Sequence, residues 1–179
     1  MNPPVLAWRE SGLKWWWIAV LAIVADQLTK LWIVDSIPNG GSVYVMSVLN
    51  IIHTYNPGAA WSMFANAGGA QRWVFSALAV VVSVVLIWWL RRLALASQKI
   101  LIAGLTLILG GAIGNVIDRF RLGHVVDFIQ VHWNDSYFPA FNVADAAISV
   151  GAALVILDAL REGQRERRAK AAGGTGTGS

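Results

Sequence analysis

Four long apolar stretches are the feature that most constrains the fold of this chain. They cover residues 15–34, 73–90, 100–117 and 143–160, and each reaches the roughly 17–25 residues that a helix needs to cross a bilayer. Hydrophobic residues make up 56% of the sequence, above the roughly 45–50% of soluble domains. The sequence therefore predicts an integral membrane protein with four transmembrane helices in one domain.

The Lys and Arg residues set the expected orientation. With both termini in the cytoplasm, ten of the 14 lie on the cytoplasmic side, in line with the positive-inside rule. Three lie outside, Arg72, Arg119 and Arg121, and Lys30 lies within the first stretch. Because the basic residues flank apolar stretches rather than gather on a polar domain, the net charge of +4 indicates membrane topology and no nucleic-acid partner.

Two segments, 35–72 and 118–142, are then expected outside the membrane. The first contains the turn-rich DSIPNGGS followed by the β-prone VYVMSVLNII, which predicts a small sheet or a lid against the outer leaflet.

Asp26 and Lys30 place two charges inside the first apolar stretch. A charge in a membrane helix is a functional-site candidate. Their i,i+4 spacing brings the two side chains together, and we therefore interpret them as a structural ion pair, with a functional role for Asp26 as the alternative.

Asp127 and Asp145 are the most informative acids. Asp145 begins the fourth apolar stretch and could simply favour the positive end of a helix capped by Asn142. Alternatively, the two carboxyls meet at the outer membrane surface, where they cannot both ionise easily and would share a proton. Such a pair can activate water, so the residues leave open a helix cap and an aspartic hydrolase.

The segment GGAIGNVIDRF, residues 110–120, adds polar candidates. Asn115 would be costly facing lipid and should point inward to a hydrogen-bond partner. Asp118 and Arg119 follow at the outer end. They form either a surface ion pair or a site in which Arg119 holds a substrate carbonyl or carboxylate with its forked donors.

Other chemistries find less support. The sequence lacks Cys, G-x-S-x-G, H-E-x-x-H and a phosphate-binding P-loop, and its three His lack metal-ligand spacing. No metal or cofactor is expected. A transporter that relays protons through Asp26, Asp127 and Asp145 is the second hypothesis, although no inverted repeat is visible, and an assembly protein is the third.

Five motifs together resemble those of the bacterial lipoprotein signal peptidases, or signal peptidase II. They are DQLTK at 26–30, YNPGAAWSMF at 55–64, GGAIGNVIDR at 110–119, VVDFI at 125–129 and FNVADAAI at 141–148. One such match would be weak, but the five occur in the family's order over nearly the whole chain.

The resemblance implies an all-α membrane peptidase of four transmembrane helices with a small extracytoplasmic β-sheet cradle. It would cut prolipoproteins just before a cysteine that already carries diacylglycerol. By motif, Asp127 and Asp145 are the catalytic dyad, and Asp26 and Lys30 have a structural role. The positions that line or support the site are Asn56, Asn115, Arg119 and Asn142.

The resemblance also implies location in the bacterial inner membrane, contact with membrane lipid, and inhibition by cyclic peptide antibiotics such as globomycin. Residues 1–170 would form the peptidase domain and residues 171–179 a flexible cytoplasmic tail. Within the cradle, Gly58 would allow backbone hinging and Trp61 would contact the apolar substrate.

Overall fold

The structure, a computed structural model, describes residues 6–57 and 70–173. Four helices are long and apolar enough to cross a membrane. They are α1 (Trp16–Ser36), which follows a short 3₁₀ turn, α2 (Ala70–Leu90), α3 (Lys99–Leu122) and α4 (Val143–Gly173). The four predicted spans are thus confirmed. The described residues exclude positions 58–64 of the YNPGAAWSMF motif, and with them Gly58 and Trp61. They also exclude residues 174–179 of the expected tail.

The centre of the bundle is α3, which packs against each of the other three helices. About half of its apolar span is buried inside the protein, against about a quarter or less of the other three. Its small residues permit this, because a Cβ atom at Gly104 would lie 2.7 Å from the Gly151 carbonyl oxygen of α4. Close backbone approach at small residues is the usual means of packing helices in membranes.

Helix α3 is longer than the apolar stretch that predicts it. The helix continues past residue 117 to Leu122, which brings Asp118 and Arg119 into its last turns rather than into an outer loop. It ends at Gly123, whose positive φ of 82° and N–H bond to the Arg119 carbonyl form a left-handed C-terminal cap.

A four-stranded antiparallel sheet joins the helices at one end. Its strands are β1 (Ser42–Met46), β2 (Leu49–Asn56), β3 (Val125–Trp133) and β4 (Ser136–Tyr137), in the order β1-β2-β3-β4. The prediction of a small sheet from VYVMSVLNII is confirmed by β1 and β2.

The sheet is fixed to the bundle by a second apolar cluster. Ile33 and Ile37 at the end of α1 pack against Val126 and Phe128 of β3. Asp127 lies between these two residues, so its side chain points to the opposite face of the sheet, as alternation along a strand requires. Asp127 pairs with Thr54 of β2. The sheet thus holds Asp127 beside the helix ends.

Candidate functional site

Polar side chains from α1, α3, α4 and the sheet form one connected network at this end of the bundle. They come from α1 (Asp26, Gln27, Lys30), α3 (Asn115, Asp118, Arg119), the sheet (Asn56, Asp127) and the start of α4 (Asn142, Asp145). All eight residues proposed from the sequence lie in or against this network, although they are far apart in the chain.

Lys30 is the centre of its deepest part. Its ammonium lies 2.8 Å from Asp26 Oδ2 and 2.8 Å from Asp118 Oδ2, and all three side chains are almost fully buried. The pair predicted from the i,i+4 spacing is therefore present, with a second carboxylate added. This overturns the surface pair considered for Asp118 and Arg119, since Asp118 is only 3% exposed and pairs with Lys30.

The two acids of this cluster also hold the backbone beside each candidate catalytic residue. Asp26 Oδ1 accepts the Ala144 N–H at 2.9 Å, one residue before Asp145. Asp118 Oδ2 accepts the Val126 N–H at 3.2 Å, one residue before Asp127. Lys30 binds both acids, so it links the acid that holds the start of β3 to the acid that holds the start of α4.

Asn115 connects this cluster to Asp145. Its Oδ1 accepts hydrogen bonds from Lys30 Nζ at 3.0 Å and from Asn142 Nδ2 at 3.2 Å. Its Nδ2 donates to Asp145 Oδ1 at 2.7 Å. The inward orientation expected for Asn115 is confirmed, since the residue is buried.

Asn142 contacts both acids of the predicted dyad and is fully buried. Its Nδ2 donates to Asp127 Oδ1 at 2.7 Å, and its Oδ1 accepts the Asp145 N–H at 2.9 Å. Asp145 Oδ2 accepts the Asn142 N–H at 3.3 Å. Asn142 and Asp145 thus form a reciprocal cap of α4, so the capping geometry considered from the sequence is present, and the Asn142 side chain connects Asp145 to Asp127.

Asp127 is buried, with 2% of its surface exposed. Asn56 Nδ2 donates to its second oxygen at 2.9 Å. Burial is the main cause that raises the pKa of Asp127 to about 6, and the charge of Asp145 contributes to the rise, while the amides of Asn56 and Asn142 and the charge of Lys30 oppose it. A carboxyl of this kind holds a proton into the range in which a general acid operates.

Arg119 lies at the edge of the network. Its Nη1 makes a long, 3.4 Å contact with the Asn115 carbonyl oxygen, and its guanidinium lies 5.7 Å from the centre of the Phe75 ring. Among the described residues it forms no salt bridge and its buried Nε has no hydrogen-bond partner.

Sequence reasoning missed Gln27 as a member of the network. Its Nε2 donates to Asp118 Oδ1 at 2.9 Å and approaches Asp26 Oδ2 and the Gly114 carbonyl oxygen at 3.2 Å. The sequence analysis names Asp118 only beside Arg119. The sequence does indicate that Asp118 lies with Asn115, because the two are three residues apart and such residues share a helix face.

The fold and this site define a multi-pass helical membrane protein with two neighbouring carboxyls. The family model of signal peptidase (SPase) II matches residues 18–161. The lipoprotein signal peptidase of Shewanella halifaxensis is 47% identical over 161 residues, which cover 90% of this chain and 94% of the relative. That of Alteromonas mediterranea is 46% identical over 158 residues, covering 88% and 86%.

Two solved structures agree in fold. A bacterial membrane enzyme determined by the in meso method superposes with a TM-score of 0.72 at 30% identity, covering 83% of this chain and 88% of the other. A second one gives 0.69 at 31% identity, covering 80% and 90%. The chain belongs to the signal peptidase II family, and it is therefore a membrane-embedded peptidase.

Proposed function

We propose that this protein is an aspartic endopeptidase that removes the signal peptide from diacylglyceryl-modified prolipoproteins, cutting just before the lipidated cysteine. The observation that carries the proposal is Asn142, which hydrogen-bonds to Asp127 at 2.7 Å and caps α4 together with Asp145. Two acids from separate elements, β3 and α4, are thereby bound to the same buried side chain at the end of the membrane helices.

The mechanism uses one ionised and one protonated carboxyl. The ionised Asp accepts a proton from water as the water oxygen attacks the scissile carbonyl carbon. The protonated Asp donates its proton to the carbonyl oxygen, which gives a gem-diol. When the C–N bond breaks, the first Asp returns its proton to the departing amine and the second recovers a proton from the gem-diol. No covalent enzyme adduct and no metal or cofactor is needed.

Arg119 supplies a further contact in this proposal. Its Nε points to no described partner, and a guanidinium offers forked donors that suit a carbonyl or carboxylate oxygen. It would hold a substrate carbonyl beside the dyad. Globomycin, a cyclic peptide, would inhibit by occupying the same donors.

The orientation of the protein follows from its charges. The basic residues that follow α2 and α4 favour the cytoplasm, which supports a position of the sheet and the dyad at the outer face of the inner membrane. All five residues of β1 are exposed, and Val43, Tyr44, Val45 and Met46 offer an apolar cradle to lipid or substrate. A signal helix with acyl chains could then reach the dyad laterally from the bilayer.

A cleavage assay with paired substrates tests this proposal. Purified protein is incubated with one prolipoprotein, with and without diacylglycerol on its cysteine, and the products are identified by mass spectrometry. We expect cleavage of the modified form alone, at the bond before the cysteine. Proton flux in liposomes without cleavage would instead support the transporter.

A further inference from the structure

The two acids of the dyad have different surroundings. Asp145 lies in the first turn of α4, where the helix dipole favours a negative charge, and its Oδ2 accepts the Asn142 N–H. Asp127 lies in a β-strand and has no such support. Arg119 interacts electrostatically with both Asp145 and Asp127. The geometry therefore favours the negative charge on Asp145.

Lys30 fixes the direction of the Asn115 amide. Both donors that reach this amide from inside the protein, Lys30 Nζ and Asn142 Nδ2, bind its Oδ1. The opposite end, Nδ2, must then face Asp145, to which it donates at 2.7 Å. An amide turned the other way would offer Asp145 an oxygen, which only a protonated carboxyl could bind.

The contact with Lys30 also strengthens the bond to Asp145. An ammonium bound to the oxygen of an amide polarises its N–H, and linked hydrogen bonds reinforce one another in a dry interior. The Asn115 donor therefore binds the carboxylate form of Asp145 more strongly than it would without Lys30.

Other charged groups also surround the pair. Asp26 and Asp118 are neutralised in part by Lys30, and they face Asp127 and Asp145 only through backbone N–H groups. His124 interacts electrostatically with Asp118 and His53, and Arg72 lies beside Gly123.

We propose that Lys30, acting through the amide of Asn115, keeps Asp145 as the ionised base of the dyad and leaves the shared proton on Asp127. This rests on the proposed aspartic mechanism and adds to it the identity of the base and of the acid. Lys30 is then a positioning residue for Asp145 and not only a structural cation.

Isotope-edited infrared spectroscopy locates the proton without any substrate. With the Asp carboxyls labelled, a protonated carboxyl band that titrates near pH 6 should be lost in Asp127→Asn and kept in Asp145→Asn. Loss in Asp145→Asn with retention in Asp127→Asn would overturn the assignment. A wild-type enzyme that cleaves nothing would refute the proposed function instead, since the titration needs no turnover.

The pH dependence of kcat/KM tests the part played by Lys30. In Lys30→Gln, activity on the acid side should be lost at a pH higher by about one unit, the size expected when a nearby opposite charge is removed. Asp118→Asn perturbs the same buried cluster but frees Lys30, so its acid-side loss should move to lower pH.

A purely structural role would lower the amount of active enzyme without moving either profile, and unmoved profiles would refute the proposal. If Lys30→Gln does not fold, the double variant Lys30→Gln/Asp26→Asn keeps the net charge of the cluster at its original value. In this variant the acid-side loss of kcat/KM should also move to higher pH. An unchanged acid-side loss would overturn the role of Lys30.

Discussion

Replacing Asp127 by Asn should make the protein more stable at neutral pH but not in acid. The pKa of Asp127 rises from its ordinary value of 3.8 to about 6 in the folded protein. Between these values the folded state binds more protons than the unfolded state, so the free energy of unfolding falls as pH rises. Each pH unit corresponds to about 1.4 kcal/mol, and the total loss is about 3 kcal/mol. Because only 2% of Asp127 is exposed, solvent screening reduces this loss of free energy little.

Chemical unfolding in detergent micelles, followed by the fluorescence of the 10 Trp residues, measures this loss. The difference in unfolding free energy, Asp127→Asn minus wild type, should grow by about 3 kcal/mol from about pH 3 to about pH 8. Asp135→Asn, an exposed change in the turn between β3 and β4, is the control and should show no such growth. A difference that is constant with pH, or that shrinks, would refute the reasoning.

The remaining predictions concern the topology of the protein, the stability of the Lys30 cluster and the need for a metal. Cysteines introduced at Asn50 and His132 of this Cys-free chain should react with an impermeant thiol reagent added to intact cells, and labelling of either only after lysis would reverse the topology. Lys30→Met should destabilise the protein by about 3–5 kcal/mol, because two buried carboxylates lose their cation. Asp26→Asn should cost less in the same unfolding assay, since Lys30 keeps Asp118; an equal cost would argue against the shared pair. Turnover should also persist in EDTA, and its loss there would contradict a metal-free mechanism.

The helices were predictable because a membrane span needs only length and hydropathy. The Asp26–Lys30 contact was predictable for a related reason, since both residues lie on one helix and their spacing fixes their separation. Hydropathy does not give the end of α3, because the polar Asp118 and Arg119 lie within its last turns. Gly123, the residue that does end the helix, was a usable signal.

Contacts between helices could not be predicted in this way. The pairing of Lys30 with Asp118 depends on how α1 and α3 align along their axes, which the close packing of Gly110 and Gly114 against α1 sets. The sequence likewise left Asp145 as either a cap or a partner of Asp127. The structure shows that one geometry contains both, because Asn142 is the cap of α4 and also the donor to Asp127.

Turnover of a diacylglyceryl-modified prolipoprotein by Asp127→Asn, Asp145→Asn and the double variant tests the central claim most directly. Each single variant should fold and bind substrate but lose at least about 10²–10⁴-fold in rate, the usual contribution of an acid–base group. The double variant should be scarcely slower than either, because the two carboxyls act as a unit. A helix cap alone would leave Asp145→Asn nearly unchanged, since Asn also accepts the capping bond. Near-wild-type turnover by either folded single variant would contradict the aspartic mechanism.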